Sequence, residues 1–265
     1  MRRRAVVVAL GLAAAVAFGV KAVQDAGGGA PAVDDSFATA VTELPGSARP
    51  AFRVGRPVLL DRRESRARFA PVLRSVDALA QPRPDSASVA TIATETPEGT
   101  TNIVLILRAV SRQDGTWVHV RLPVLPNERT GWVPRSTLGG YQFVHTQLIV
   151  ERKRLTATLL RDGRPVFSAR VGIGQPHWPT PAGEFYIRDK VSGFGDPFYG
   201  PVAFGTSARS AVLTDWPGGG FVGIHGTNEP ELIPGRVSHG CIRMRNADIL
   251  RLARLMPVGT PLTIR

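Results

Sequence analysis

The sequence predicts a mostly β protein, built from a small β module followed by a larger β-rich domain that carries one short helix. Three observations predict it. From Val89 onward the apolar residues come in short runs separated by turn signals such as Asp-Gly and PNERTG, the signature of strands joined by tight connections. Only Asn246 to Met256 (NADILRLARLM) has helical spacing, with Asn246 placed to cap it and Ile249, Leu250 and Ala253 on its apolar face. No GxGxxG, no GxxxxGK[ST] and no internal repeat occurs, so nothing points to a dinucleotide fold, a P-loop or a solenoid.

Composition bounds the function. With 265 residues, 43% of them hydrophobic, the chain can bury one large core or two small ones, which excludes a disordered or fibrous protein. The formal charge is +12, from 33 Lys and Arg against 21 Asp and Glu. That charge suits an anionic partner. The arginines are spread along the chain, and the only lysines are Lys21, Lys153 and Lys190, so no basic run marks a nucleic-acid footprint and no nucleic-acid partner is expected. Cys241 is the one cysteine, which excludes an internal disulfide and a cysteine-rich zinc site.

Four segments follow from the pattern. Residues 1–32 begin MRRR and continue with 16 apolar residues, Ala5 to Val20. A bilayer-spanning helix needs about 20, so this reads as an export signal or an N-terminal membrane anchor. The remainder is then expected outside the cytoplasm, in the periplasm, cell wall or anchored to a membrane through that segment alone. Residues 33–87, rich in Pro, Arg, Ala and Ser, read as an extended linker. Residues 88–139 hold strands at Asn102 to Ala109, Thr116 to Leu122 and Gly131 to Pro134. Residues 140–265 hold strands at Gln147 to Glu151, Leu155 to Leu160, Val166 to Ile173 and Gly183 to Ile187, then the helix.

The chemistry concentrates in Ile224 to Asn246, IHGTNEPELIPGRVSHGCIRMRN, which contains two of the five histidines, the cysteine and five glycines or prolines. A thiol nucleophile needs a base to take its proton and backbone donors for the developing oxyanion. His225 and His239 are both candidates for the base. The N–H groups of Gly240 and Cys241 are candidates for the oxyanion hole, because a glycine lets the backbone approach a carbonyl closely. Arg243 either binds a substrate carboxylate or forms an internal ion pair. The His and Cys types also suit zinc, but the SHGC spacing is not a standard ligand arrangement, and neither metal nor cofactor is expected. His119 and His145 in strands, and His177 in a turn, read as structural or solvated.

The motif resembles that of the YkuD-type L,D-transpeptidases: His225, Gly226 and Thr227, a spacer, then Ser238, His239, Gly240, Cys241, Ile242, Arg243 and Asn246. Upstream, VFSARVGIGQPHWPTPAGEFYI resembles the family's V-x-x-G and TPxGxF segment. The resemblance implies Cys241 as nucleophile, His225 as base with its ring oriented by the Gly226 carbonyl, and His239 shaping the pocket. It also puts Tyr199 and Trp216 where the family places a lid over substrate, although either equally suits a core position. It implies an acyltransferase acting on peptidoglycan stem peptides, forming 3→3 cross-links through a cysteine thioester, and open to carbapenem-type inhibitors. The alternatives are a carboxypeptidase or thiol hydrolase that trims wall peptides, and a transferase that attaches a protein to peptidoglycan. The preceding segments DGTWVHVRLP and RTGWVPRSTL resemble bacterial SH3-like barrels, with Trp117 and Trp132 expected in the barrel core rather than in a ligand groove.

Overall fold

The β-branched and aromatic runs after Arg66 form two sheets. The computed structural model describes residues 66–192, 196–214 and 220–265, all within the compact unit Gly55–Arg265. Segments 1–32 and most of 33–87 lie outside the described residues, as does Trp216.

The first sheet is antiparallel throughout and contains β1 (Ala67–Pro71), β2 (Val76–Leu79), β3 (Ser88–Ile92), β4 (Ile103–Arg112), β5 (Gly115–Arg121), β6 (Thr130–Pro134) and β7 (Gln142–Val144), in the spatial order β3-β2-β6-β5-β4-β1-β7. Two expectations are corrected here. The stretch 67–79, assigned to the linker from its Arg and Pro content, supplies β1 and β2. Phe69, Ala70, Val72 and Ala78 are buried in it, and β1 pairs on both sides, with β4 and β7. The boundary expected at residue 140 moves to Val144, because β7 completes the first sheet.

Strand β4 explains why the two parts belong together. An antiparallel strand with one wet face alternates apolar and polar residues, yet Ile103, Val104, Leu105 and Ile106 are all buried. Val104 and Ile106 pack into the core of the module with Val118, Val120 and Val133. Ile103 and Leu105 point the other way, into a cluster with Phe69, Val144 and Tyr186. The hydroxyl of Tyr186 donates to the Ile103 carbonyl at 3.0 Å. Phe69 rests on Gly259, where a Cβ would lie 2.1 Å from its ring. Trp117 and Trp132 are each only 5% exposed, yet they alternate with Val118 and Val133 and lie outside the apolar core expected to hold them. Trp132 is stacked by His119 at 4.6 Å and covered by the Arg108 guanidinium at 4.8 Å.

The second sheet has ten strands. These are β8 (Thr146–Glu151), β9 (Thr156–Arg161), β10 (Arg164–Arg170), β11 (Gly172–Gly174), β12 (Gly183–Ser192), β13 (Val202–Arg209), β14 (Phe221–His225), β15 (Gly235–Ser238), β16 (Ile242–Arg243) and β17 (Pro261–Ile264). Their order is β10-β9-β8-β17-β12-β13-β14-β16-β11-β15. The pairs β8–β17, β14–β16 and β11–β15 are parallel. A helix, α1 (Asn246–Leu255), buries Ile249 and Leu252 against the core that holds Phe204, Ile224, Ile242 and Met244. The expected helix is present with two corrections. Arg245 holds the N-cap position instead of Asn246, and Leu250 points to solvent. Among the described residues no helix is long and apolar enough to cross a membrane.

Candidate active site

The parallel pairing of β14 with β16 places the site. Ile224 lies opposite Ile242 and His225 opposite Arg243. Side chains alternate along a strand, so Val222, Ile224, Ile242 and Met244 fill the core while Gly223, His225 and Arg243 share the other face. Cys241, one residue before β16, continues this register and lies beside Gly223. The contacts agree. The Gly223 N–H donates to Cys241 Sγ at 3.3 Å, and a Cβ on Gly223 would lie 3.8 Å from both that sulfur and Cδ2 of His225. A larger residue at 223 would project between thiol and imidazole.

The turn that delivers Cys241 is fastened by its own side chains. Gly240 has φ +119°, a conformation that L side chains rarely adopt, so the glycine of SHGC is a backbone requirement. The Ser238 hydroxyl accepts the Gly240 N–H at 3.1 Å and donates to the Cys241 carbonyl, closing the turn from both ends. The Gly240 N–H, an expected oxyanion donor, is therefore committed to Ser238. Thr180, fully buried and unnoticed in the sequence reading, accepts the Gly174 N–H at 2.9 Å and donates to the Gly240 carbonyl at 2.7 Å. The TPAG segment thus sets the orientation of the peptide before the thiol. Its signal was present in the quoted motif, but spacing gives no hint that the hydroxyl reaches residue 240.

His225 is held as firmly. Its Nδ1 is 2.7 Å from the Gly226 carbonyl, and a carbonyl only accepts, so Nδ1 carries the proton and Nε2 keeps its lone pair. A Cβ on Gly226 would fall 2.3 Å from Asn246 Oδ1, so a glycine is required there by close approach as well. Asn246, expected to cap its helix, uses its side chain to accept the Thr227 N–H at 2.9 Å, pinning the strand end after His225. His239 is half-buried, lines the cleft and lies against Trp178 at 4.3 Å between ring centroids. Tyr199 meets His225 edge-on at 5.1 Å. Arg243 also lines the cleft, yet its guanidinium is 2.9 Å from Glu229 and lies over Phe198 at 4.3 Å, the internal ion pair that was its alternative reading.

Burial sets the protonation states. It pushes the His225 imidazole down to about 4, with the Gly226 carbonyl opposing and Arg243 adding to the fall. Burial pushes the Cys241 thiol up, against the Gly223 N–H and Arg243. At neutral pH the pair rests as a neutral thiol and a neutral imidazole, not as an ion pair. Of the other histidines, His145 pairs with Asp162 at 2.8 Å on the surface and His177 is exposed. Among the described residues no group of three or more His, Cys, Asp or Glu side chains is arranged to hold a metal ion.

Two clefts open onto this pair. One, of about 30 Å³, is lined by Phe198, Tyr199, Leu213, His239 and Arg243 together with His225 and Cys241. The other, of about 340 Å³, reaches the same two residues from a side walled by Pro97, Glu98, Asp189 and Gly205. A nucleophile with a basic nitrogen nearby and two approaches is suited to receiving an acyl group from one side and passing it on to a molecule on the other.

Comparison with known proteins agrees with that chemistry. The L,D-transpeptidase catalytic domain family YkuD matches residues 145–264, the second sheet and its helix. Two Bacillus subtilis proteins named as L,D-transpeptidases are similar: YkuD, 36% identical over 120 residues covering 45% of this chain and 65% of that protein, and YqjB, 31% identical over 125 residues covering 44% and 69%. The chain thus spans just under two thirds of YkuD. Escherichia coli YbiS is 55% identical over 85 residues, 32% of this chain and 26% of its own length. Among solved structures, the catalytic domain of the Enterococcus faecium L,D-transpeptidase is 28% identical, covering 45% of this chain and 96% of that domain at a TM-score of 0.35. With His225 on β14 and Cys241 one residue before the parallel strand β16, both inside the matched segment, the chain belongs to the YkuD family of L,D-transpeptidase catalytic domains.

Proposed function

We propose that the protein is a peptidoglycan L,D-transpeptidase that forms 3→3 cross-links through a Cys241 thioester. The observation that carries this reading is the shared face of β14 and β16, where the Cys241 thiol and the His225 ring flank Gly223 and both line two clefts. Cys241 Sγ attacks the carbonyl of the diamino acid at position 3 of a tetrapeptide stem while His225 Nε2 takes the thiol proton. The same proton passes to the departing nitrogen of D-Ala as the C–N bond breaks, leaving an acyl-enzyme and a neutral imidazole. A side-chain amine of a second stem then attacks the thioester. Its proton goes by way of Nε2 to the sulfur as the C–S bond breaks, and the new amide is released.

Because thiol and imidazole rest neutral, proton transfer accompanies the attack instead of preceding it. The Cys241 N–H is the oxyanion donor in this scheme. The Gly240 N–H stays on Ser238, where it fixes the turn, and His239 and Tyr199 shape the walls of the donor cleft. Arg243, already paired with Glu229, holds the loop after His225 and lends positive potential to the developing oxyanion. The substrate lies outside the cytoplasm, which fits the leader-like residues 1–32 as export signal or anchor. The first sheet serves in this reading as the SH3-like module that its DGTWVHVRLP and RTGWVPRSTL strands resemble.

Incubation with a disaccharide tetrapeptide and mass spectrometry of the intact protein and products tests the assignment. The expected results are a transient acyl adduct on Cys241 and a dimer linked between two position 3 residues. Release of D-Ala with only trimmed stems, even with excess amine present, would establish a hydrolase in its place.

A further inference from the structure

The larger cleft is walled in part by the first module, and its charges do not balance. Glu98 stands at the tip of a fixed turn: the Gly99 N–H donates to the Thr96 carbonyl at 2.9 Å, the Thr96 N–H to the Thr100 carbonyl at 2.8 Å, and the two threonine hydroxyls are 2.8 Å apart. Asp189 lines the same cleft and is almost fully buried, as is Arg188, the residue before it on β12, which is not part of the cleft wall. Arg188 Nη2 is 3.0 Å from Glu98 Oε2 and 3.6 Å from Asp189 Oδ2. Asp189 Oδ1 accepts the Gly205 N–H at 2.8 Å, whereas Oδ2 has no hydrogen-bond donor among the described residues.

One guanidinium therefore serves two carboxyls. Neutrality requires either a proton on one of them or a second cation. Burial and the neighbouring Glu98 raise the Asp189 carboxyl above the usual carboxylate range, despite Arg188 and the Gly205 N–H. Buried charge without a counterion is costly, so a cation that enters this cleft is rewarded by the carboxylate it meets. The cleft also reaches Gly223, His225 and Cys241.

We propose that this cleft is the acceptor subsite, and that Glu98 and Asp189 select an acceptor amine in its ammonium form and hold it beside the thioester. The proposal rests on the amine-transfer function argued above and adds the groups that choose the amine. The bound R–NH₃⁺ gives one proton to Asp189 Oδ2 and becomes nucleophilic. Its nitrogen then forms the C–N bond as the C–S bond breaks, the second proton travels through His225 Nε2 to the sulfur, and Asp189 returns its proton to solvent. Charge and atoms balance at each step. Glu98 comes from the first module, so acceptor choice would depend on a residue outside the segment 145–264 that matches the family.

A competition experiment on the full chain tests this. The acyl-enzyme formed from a tetrapeptide stem is offered Nα-acetyl-lysinamide, a cation at pH 7, together with hydroxylamine, which is neutral at that pH, and the two products are counted by mass spectrometry. Glu98→Gln is expected to lower the ratio of lysine adduct to hydroxamate by roughly tenfold, the loss of one charge-assisted contact. Glu98→Lys should lower it further, and Glu98→Asp should restore part of it. A ratio unchanged in Glu98→Gln and Glu98→Lys overturns the proposal, as does an equal fall of both products, which would mean that Glu98 supports the fold alone. If wild-type protein forms no acyl-enzyme from the stem, the amine-transfer reading itself fails, an outcome distinct from an acyl-enzyme whose partition ignores Glu98.

Discussion

The neutral resting state of the Cys241–His225 pair makes the pH dependence of acylation a sharp test. The imidazole is pushed from its ordinary 6.5 to about 4, because it is 2% exposed and a cation beside Arg243 would be poorly solvated. That difference, at 1.36 kcal/mol per unit, means that charging His225 in the folded protein costs about 3 kcal/mol more than in water. Activity requires the neutral base, so the rate falls only as pH drops through about 4. The thiol lies above its ordinary range, so no rise from thiolate formation appears near neutrality. The assay is the second-order rate of carbapenem adduct formation at Cys241, read by intact-protein mass spectrometry across the acid and neutral range. The expected profile is flat from about pH 5.5 to 8, with a tenfold loss per unit well below pH 4. Stability follows by linkage. Unfolded His225 binds its proton near 6.5 and the native form only near 4, so the contribution of the buried neutral ring is complete above 6.5 and is lost as pH falls from 6.5 toward 4. His119, also lowered to about 4 by burial and by Arg108 and Arg121, acts with the same sign, and being half-exposed it contributes less. An acidic limb centred near 6.5, or a rate that climbs through neutrality with thiolate fraction, would falsify the neutral-pair mechanism.

Three further outcomes are expected. His225→Ala lowers adduct formation by on the order of a hundredfold or more, whereas His239→Ala, which loses contact with Trp178, loses less; the same rate assay ranks them. Thr180→Val leaves the Gly174 N–H and Gly240 carbonyl without their shared partner, so chemical denaturation should show a loss of about 1–3 kcal/mol. Adduct formation should slow with it, and Thr180→Ser should recover both. Treatment with a chelator leaves adduct formation unchanged, since no cluster of metal-ligating side chains occurs among the described residues; a loss restored by zinc would contradict the thiol mechanism.

The residues of the proposed thiol–imidazole pair were legible because they are local in sequence. A sole cysteine in SHGC, a histidine ahead of a glycine and a glycine-dense spacer all lie within Ile224 to Asn246, and the structure sets His225 and Cys241 on the same face of the sheet. Less local features were not legible. Asn246 has the residue type and position of an N-cap, but its amide oxygen is taken by Thr227, a partner that only the tertiary fold brings close. Gly240 was read as an open donor, yet the hydroxyl two residues earlier claims its N–H. Strands β1 and β2 were hidden because Pro and Arg dominate their neighbourhood, while Phe69, Ala70 and Val72 are enough for a strand that is paired on both sides. Trp216 lies outside the described residues, so its expected place over the substrate is untouched by these findings.

One signal for the union of the two sheets was in the sequence all along. The run NIVLILRA was read as an ordinary strand of a small module, but an isolated sheet with one wet face calls for alternation, and four consecutive apolar residues call for cover on both faces. The second cover is the catalytic sheet. Tyr186 bonds the Ile103 carbonyl, Asn127 both accepts from and donates to the backbone of Arg209, and Glu128 accepts the Glu184 N–H at 3.0 Å. These contacts brace β12 and β13, which pair with each other, and β13 in turn pairs with β14, the strand that carries His225. Removing the first sheet would strip an apolar cluster around Tyr186 and leave buried backbone groups without partners, a cost that falls on the strands beside the active face. The first module thus braces the sheet that holds His225 and Cys241, although the family match begins only at residue 145.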